Sequence, residues 1–440
     1  MSAVMEAKAA LTRIADAQSR LNAFTEVTAE RALAQAARVD QGSGAGPLSG
    51  VPFSVKNLFD IAGLRTLAGA KINRDHPPAA ADSPLISALE AAGAVLVGAN
   101  GMGEYAYDFT GRNVHYGHTL NPHDPARMSG GSSGGSAVAV AAGLVPLALG
   151  SDTNGSIRVP ASLCGIYGLK PTYGRLSRTN SYPFVNALDH LGPFARDVSI
   201  LAAAYDAMQG ADHSDPVLAH RPVEPALPDL YKPLDGLRVA RLGGHFETGL
   251  EGDAALAVER VAAALGATET VELAEAGRAR AAAFVITAAE AGALHRGRLT
   301  ERAGDFDPET RDRLMAGALA PAAWVDSAQR FRRKFQETAR ALFERYDLLI
   351  AASTPCTAPL VEQKTMIFNG QEVPVRANLG VYTQPISFIG LPVVAVPLKL
   401  SSLPIGVQLI GRPWSEALLL RAAQRLEGAG VTKAPIAGSI

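Results

Sequence analysis

Two short glycine-rich stretches hold serines in a setting suited to acyl transfer. Residues 130–135 read GGSSGG, with Ser132 and Ser133 between paired glycines. Residues 151–156 read SDTNGS and end at Ser156, 24 residues beyond Ser132. A serine hydroxyl attacks a carbonyl only when a neighbouring base takes its proton, and neither stretch contains a histidine. Other motifs fit less well. A phosphate-cradling loop ends in Gly-Lys-Ser/Thr, and GGSSGGSA has no lysine. The GxGxxG spacing of a dinucleotide loop does not fit the stretch either. Gly130–Gly134 matches G-x-S-x-G, an elbow that presents a nucleophile between strand and helix. The preceding HTLNPHDPARMSG, however, reads as a polar loop. Taken alone, the glycines would only make a turn. The second stretch changes that reading. A helix followed by a strand returns the chain to its starting edge, so both serine loops can meet where catalytic groups usually gather.

The elements that must position these loops follow from periodicity. Apolar residues at helical spacing (Leu11, Ile14, Leu21, Phe24, then Ala32, Leu33, Ala36) predict two N-terminal helices over 2–38, broken near Asn22–Thr28. The loop QGSGAGPLSG follows, then a strand VPFSVK ending at Lys56. Residues 84–92 read as a helix with Pro84 near its start, GAVLVGAN as a buried strand, Ser136–Leu144 as a helix, and VPLALG as the next strand. The alternation resumes with helices at 199–208 and 252–265 and strands LRVARLG and DLLIAAS. It closes with PVVAVPL, IGVQLIG and the helix SEALLLRAAQRLE. Continuous apolar strands between helices predict an α/β fold whose sheet is covered by helices on both faces. Residues 270–345, rich in Ala and Arg, read as a helical excursion from one large domain over 1–440 with a core of about 45–205.

Composition narrows the class. The chain has 440 residues, 48% of them hydrophobic, which is ample for a large core. A net charge of −1 gives no electrostatic reason to expect nucleic acid or an anionic membrane as partner. The N-terminus lacks the apolar centre of a signal peptide, and AVAVAAGLVPLALG is too short to span a bilayer. Cys164 and Cys356 are too few for a disulfide scaffold, so both are expected as reduced thiols in a cytoplasmic enzyme.

GGSSGGSA, then SDTNGSIRVPASLCGIYGLKPTYGRLS, with SVKN upstream and TPCTAP, GLPVVAVP and LPIGVQLIG in the tail, resembles the amidase signature family of Ser-Ser-Lys hydrolases. The resemblance covers most of the chain and implies that family's fold, an α/β fold around a large mixed β-sheet. Matched residue by residue, it implies Lys56 as base, Ser132 as bridging serine after a cis peptide bond, and Ser156 as nucleophile. The assignment is chemically sound. Burial at the end of an apolar strand disfavours the ammonium form of Lys56, and a hydroxyl such as that of Ser132 can accept one proton while donating another. Main-chain N–H groups of Thr153, Asn154, Gly155 and Ser156 would then bind the oxyanion. The family pattern there is Asp-Thr-Gly-Gly-Ser. Asn154 stands at its first glycine, where its backbone tolerance should preserve the hole while its side chain enters the pocket.

Four further residues are candidates for substrate contact. Ser133 would either do this, cap the following helix or support the proton relay. Arg158 follows the nucleophile, and its competing role is to brace the loop. Arg376 and Tyr382, ahead of the GLP turn, are placed to grip an anionic substrate. His115, His118 and His123 lack carboxylate or cysteine partners in the pattern of a metal site, and Cys164 reads as buried filler. No metal or cofactor is implied.

Within the family, TNGSIRVPASLCGIYGLKPTYGRLSR with SYPFVNALDHLGPFARDV is most similar to the 1-carboxybiuret hydrolases of s-triazine catabolism. That likeness implies cleavage of 1-carboxybiuret to 1,3-dicarboxyurea and ammonia, a small accessory subunit like the amidotransferase C-subunit, and a homodimer or heterotetramer. Three alternatives stay open: an amidotransferase A-subunit for tRNA-linked amidation, a general aliphatic or aryl amidase, and a non-catalytic binding subunit. Gly380 and Val381 stand where the A-subunit usually carries an acid.

Overall fold

The computed structural model describes residues 2–44 and 46–438. Its thirteen strands among the described residues are β1 (Phe24–Val27), β2 (Pro52–Lys56), β3 (Val95–Asn100), β4 (Leu147–Asp152), β5 (Tyr167–Lys170), β6 (His190–Ala195), β7 (Val239–Leu242), β8 (Glu269–Val271), β9 (Leu348–Ala352), β10 (Thr365–Phe368), β11 (Gln371–Pro374), β12 (Val393–Lys399) and β13 (Pro404–Gly411). Eleven form one sheet in the order β1-β3-β2-β4-β6-β5-β12-β13-β9-β7-β8, and β10 and β11 make a separate hairpin. The sheet is mixed: β2 runs parallel to β3 and β4, while β4 with β6 and β12 with β13 are antiparallel. Every residue of β2, β3, β4, β6 and β13 is buried. Neighbouring side chains along a strand point to opposite faces, so both faces are covered.

The helices are α1 (Ala3–Leu21), α2 (Ala29–Asp40), α3 (Pro84–Ala91), α4 (Gly134–Ala141), α5 (Arg158–Cys164), α6 (Val198–Met208), α7 (Gly252–Leu265), α8 (Ala276–Arg302), α9 (Pro308–Ala318), α10 (Ala322–Arg345), α11 (Val375–Asn378), α12 (Gln384–Phe388) and α13 (Glu416–Gly428). The break expected near Asn22–Thr28 is not only a break. It holds β1, which pairs antiparallel with β3 at the sheet edge. The helical excursion is α8 to α10, preceded by the short strand β8. A continuous apolar core runs from Ala3 in α1 to Ala434 beyond α13. A smaller cluster around Phe109, Met128, Leu163 and Val375 packs beside it. Among the described residues, no helix is long and apolar enough to cross a membrane.

One consequence of the topology positions the chemistry. Because β2 and β4 are adjacent and parallel, with Phe53 opposite Leu147 and Val55 opposite Leu149, their C-terminal ends share one sheet edge. Lys56 ends β2 there, and the loop carrying Ser156 leaves β4 there.

Candidate active site

The Lys56 amine donates hydrogen bonds to Ser132 Oγ at 2.6 Å and to Ser151 Oγ at 2.8 Å. Its side chain is fully buried. Burial pulls its pKa from 10.5 down to about 7, against the opposing pull of Asp189, Asp152 and Asp108. The Gly131–Ser132 peptide bond is cis. The surrounding loop is tied down on several sides. Gly131 N–H donates to the Phe109 carbonyl at 2.9 Å, Ser129 Oγ to the Thr119 carbonyl at 2.9 Å, and Ser136 Oγ to the Leu149 carbonyl at 2.8 Å. Gly135 must be glycine, because a Cβ there would lie 2.5 Å from the carbonyl oxygens of Ala23 and Gly101.

Ser133 takes a different part from those expected of it. It stands at the N-cap of α4, yet its side chain makes no capping bond. Its hydroxyl instead donates to the Ser151 carbonyl at 3.1 Å and accepts from Ser151 N–H at 3.2 Å. It therefore pins the serine loop to β4, and it does not line the pocket of Ser156.

The loop after β4 is shaped by buried partners. Thr153 Oγ1 donates to Asp189 Oδ1 at 2.6 Å, and Thr383 Oγ1 donates to the Asn154 carbonyl at 2.7 Å. Gly155 has φ +143, and a Cβ there would fall 2.1 Å from Thr383 Oγ1, so only glycine lets Thr383 approach. Asn154, Gly155 and Ser156 place no main-chain N–H in a hydrogen bond to another described residue. A set of unpaired donors beside a nucleophile is what an oxyanion site requires.

Arg158 is a correction. Expected among the substrate contacts, it is fully buried and spends all five N–H groups on the protein. Nε and Nη2 meet the Asp152 carboxylate at 3.0 and 2.9 Å, and Nη1 reaches the Thr383 carbonyl at 3.0 Å and Gln408 Oε1 at 2.7 Å. Nη2 also donates to Ser387 Oγ. Burial opposes ionisation of Asp152, but the Arg158 guanidinium holds its carboxyl well below the usual range. The bracing role is the one observed. Tyr382 is a second correction. Its ring is fully buried and its hydroxyl spends its donor on the Thr248 carbonyl at 2.6 Å.

Ser156, Thr153 and Asn154 line a tight pocket of about 20 Å³. Phe109, Phe184 and Phe284 supply apolar walls, and Asp108, Arg313 and Gln384 supply polar ones, with the Asp108 carboxylate accepting hydrogen bonds from Thr110 and Gly111. Arg313 is the residue that sequence reasoning missed. Its guanidinium lies 3.5 Å from the Tyr107 ring centroid and donates one hydrogen bond, to the Tyr107 carbonyl at 2.8 Å. Arg376, expected to grip an anion, does not line this pocket. It stands in a larger neighbouring cleft that shares Arg313. There it bonds Glu309 Oε2 and Thr310 Oγ1 and lies 3.4 Å from Asp108 Oδ1. Arg376 pairs with Asp108, Asp307 and Glu309, whereas Arg313 forms no ion pair with any described residue. A further cavity lies beyond Ala106 and Phe184 and reaches Ser151 and Asp189.

The three histidines point to separate partners. His115 meets Glu104 at 2.9 Å, His118 Nδ1 accepts from Asn113 N–H at 3.1 Å, and His123 meets the Cys164 carbonyl at 2.9 Å. Both cysteines are free and buried. Gly380 leaves no room for the acid of an amidotransferase A-subunit, since a Cβ there would lie 2.6 Å from the Phe109 ring.

A family model for amidases matches residues 7–420. The chain belongs to the amidase signature family. It is 52% identical over 431 residues to AtzE, the 1-carboxybiuret hydrolase component of Pseudomonas sp. (strain ADP), covering 96% of this chain and 94% of that one. A solved structure described as a vestigial protein complex that reveals the evolutionary origins of an s-triazine catabolic enzyme superposes with a TM-score of 0.97 at 51% identity, covering 99% of this chain and 97% of that one. The glutamyl-tRNA(Gln) amidotransferase A-subunit of Symbiobacterium thermophilum is 36% identical over 460 residues, covering 96% of this chain and 92% of that one. The protein is an amidase, and its mixed sheet is the amidase signature fold.

Proposed function

We propose that this amidase hydrolyses 1-carboxybiuret, a small carboxylated biuret-type amide, to 1,3-dicarboxyurea and ammonia through an acyl-enzyme on Ser156. The observation that carries the mechanism is the 2.6 Å contact between the buried Lys56 amine and Ser132 Oγ. As Ser156 Oγ attacks the terminal amide carbon, its proton passes to Ser132 Oγ and the Ser132 proton passes to neutral Lys56. The N–H groups of Thr153, Asn154, Gly155 and Ser156 hold the oxyanion. Collapse breaks the C–N bond, and the proton returns through Ser132 to the leaving nitrogen, which departs as ammonia. Water then attacks the acyl carbon with the same base, a carboxylate forms, and Ser156 regains its proton.

The carboxylated substrate is supported by Arg313, a guanidinium with no ion pair to a described residue in the pocket of Ser156. A carboxylate is the natural bidentate partner for such a group. The reading extends to residues 1–440 acting as one catalytic unit in the cytoplasm, with a small accessory subunit in a homodimer or heterotetramer. A role in tRNA-linked amidation is disfavoured by the crowded Gly380.

Two measurements test the proposal. A fluorophosphonate probe should label the native enzyme and not Ser156→Ala. Ammonia release should be faster from 1-carboxybiuret than from glutamine or simple aliphatic and aryl amides. Equal labelling of both proteins removes Ser156 as nucleophile, and preference for a simple amide removes the substrate.

A further inference from the structure

We infer that the side chain of Asn154 selects substrates carrying an N–H on the acyl side of the scissile carbonyl, and so separates ureido-type from alkyl amides. This rests on the reading that the scissile carbonyl binds at Ser156. Asn154 is held at two points. Its Nδ2 donates to Thr287 Oγ1 of α8 at 2.9 Å, and its main-chain carbonyl accepts from Thr383 Oγ1 at 2.7 Å. Its side-chain carbonyl oxygen is buried and has no hydrogen-bond partner, although the residue is only 7% exposed. Unpaired buried acceptors are rare because desolvation without a donor is costly. This one belongs to a residue that lines the pocket of Ser156, two positions from the nucleophile.

Such an oxygen, with Nδ2 engaged by Thr287 Oγ1, is a neutral acceptor with no partner of its own. It rewards an N–H and penalises a methylene in the same place, which would leave it buried and unpaired. Biuret and malonamide are nearly isosteric and differ at that atom: an N–H in one, a CH2 in the other. The family's glycine at this position has no side chain with which to distinguish them. Arg313 and Asn154 divide the recognition, the first taking charge and the second reading the nitrogen next to the reacting carbon.

The test uses Ser156→Ala protein, in which ligands bind without reacting, and calorimetric Kd values for biuret and malonamide. Biuret should bind about tenfold tighter than malonamide. Adding Asn154→Gly, which restores the family residue, should bring the two within about twofold. Thr287→Val retains Asn154 but frees its amide to rotate, and should narrow the gap without closing it. A gap untouched by both substitutions overturns the inference. Failure to bind either compound also overturns it, and ammonia release from 1-carboxybiuret then shows whether the substrate reading falls with it.

Discussion

The Lys56 amine lies within 2.6 Å of the Ser132 hydroxyl although 76 positions separate the two residues in the chain. The contact is made in the buried interior, where Lys56 titrates near 7 because burial penalises its charge. In the proposed mechanism the base is the neutral amine, so kcat/KM should rise with pH through a single ionisation near 7 and then level off. Lys56→Ala should lower kcat by about 10²–10⁴-fold with the far-ultraviolet circular dichroism spectrum retained. A flat pH profile, or near-native turnover in the variant, removes Lys56 as the base.

Ser151 is the other acceptor for the same amine, at 2.8 Å. Its hydroxyl stabilises the ammonium more than the neutral amine, so its removal should lower the pKa further. In Ser151→Ala the acidic limb of the profile should move down by about one pH unit. A fall in kcat with the limb unmoved would reduce Ser151 to packing.

Arg313 and Arg376 make opposite forecasts. Arg313→Gln should raise KM for a carboxylated amide by about 10–100-fold, the loss of a charge-assisted hydrogen bond, with a smaller effect on uncharged amides. Arg376→Gln should leave KM within about threefold, because that guanidinium is engaged by Glu309 and Thr310. Steady-state kinetics on paired charged and neutral amides decides between them.

The Asp152–Arg158 pair, at 2.9 Å with both side chains fully buried, makes a stability prediction. Asp152→Asn leaves the guanidinium without its counter-charge and should cost about 3–5 kcal/mol, read as a lower denaturant midpoint. A loss below about 1 kcal/mol would mean that the remaining hydrogen bonds of Arg158 suffice.

The sequence made the serine loops legible because glycine, serine and their spacing are local signals, but the parallel β2–β4 pair joins strands separated by α3, β3 and α4 and was not read from it. The orientation of arginines was not legible. Nothing near Arg158 reveals that three of its partners lie at Thr383, Ser387 and Gln408. In the Ala- and Arg-rich excursion, helical spacing does not say which guanidinium faces the pocket, so Arg313 was not singled out. Tyr382 failed for a related reason: an aromatic near a pocket motif looks the same in sequence whether its hydroxyl faces ligand or the Thr248 carbonyl. Strand β1 escaped notice because four residues between two helices carry too little periodicity.

The five-fold grip of Arg158 has a consequence for how the enzyme comes into being. Synthesis delivers Ser156 early, but the carbonyl of Thr383 and the side chain of Gln408 that clasp its neighbour are 225 and 250 residues downstream of Arg158. A growing polypeptide on the ribosome therefore carries Ser156 and Arg158 long before the clasp exists, and the clasp closes only once Gln408 has been made and folded back.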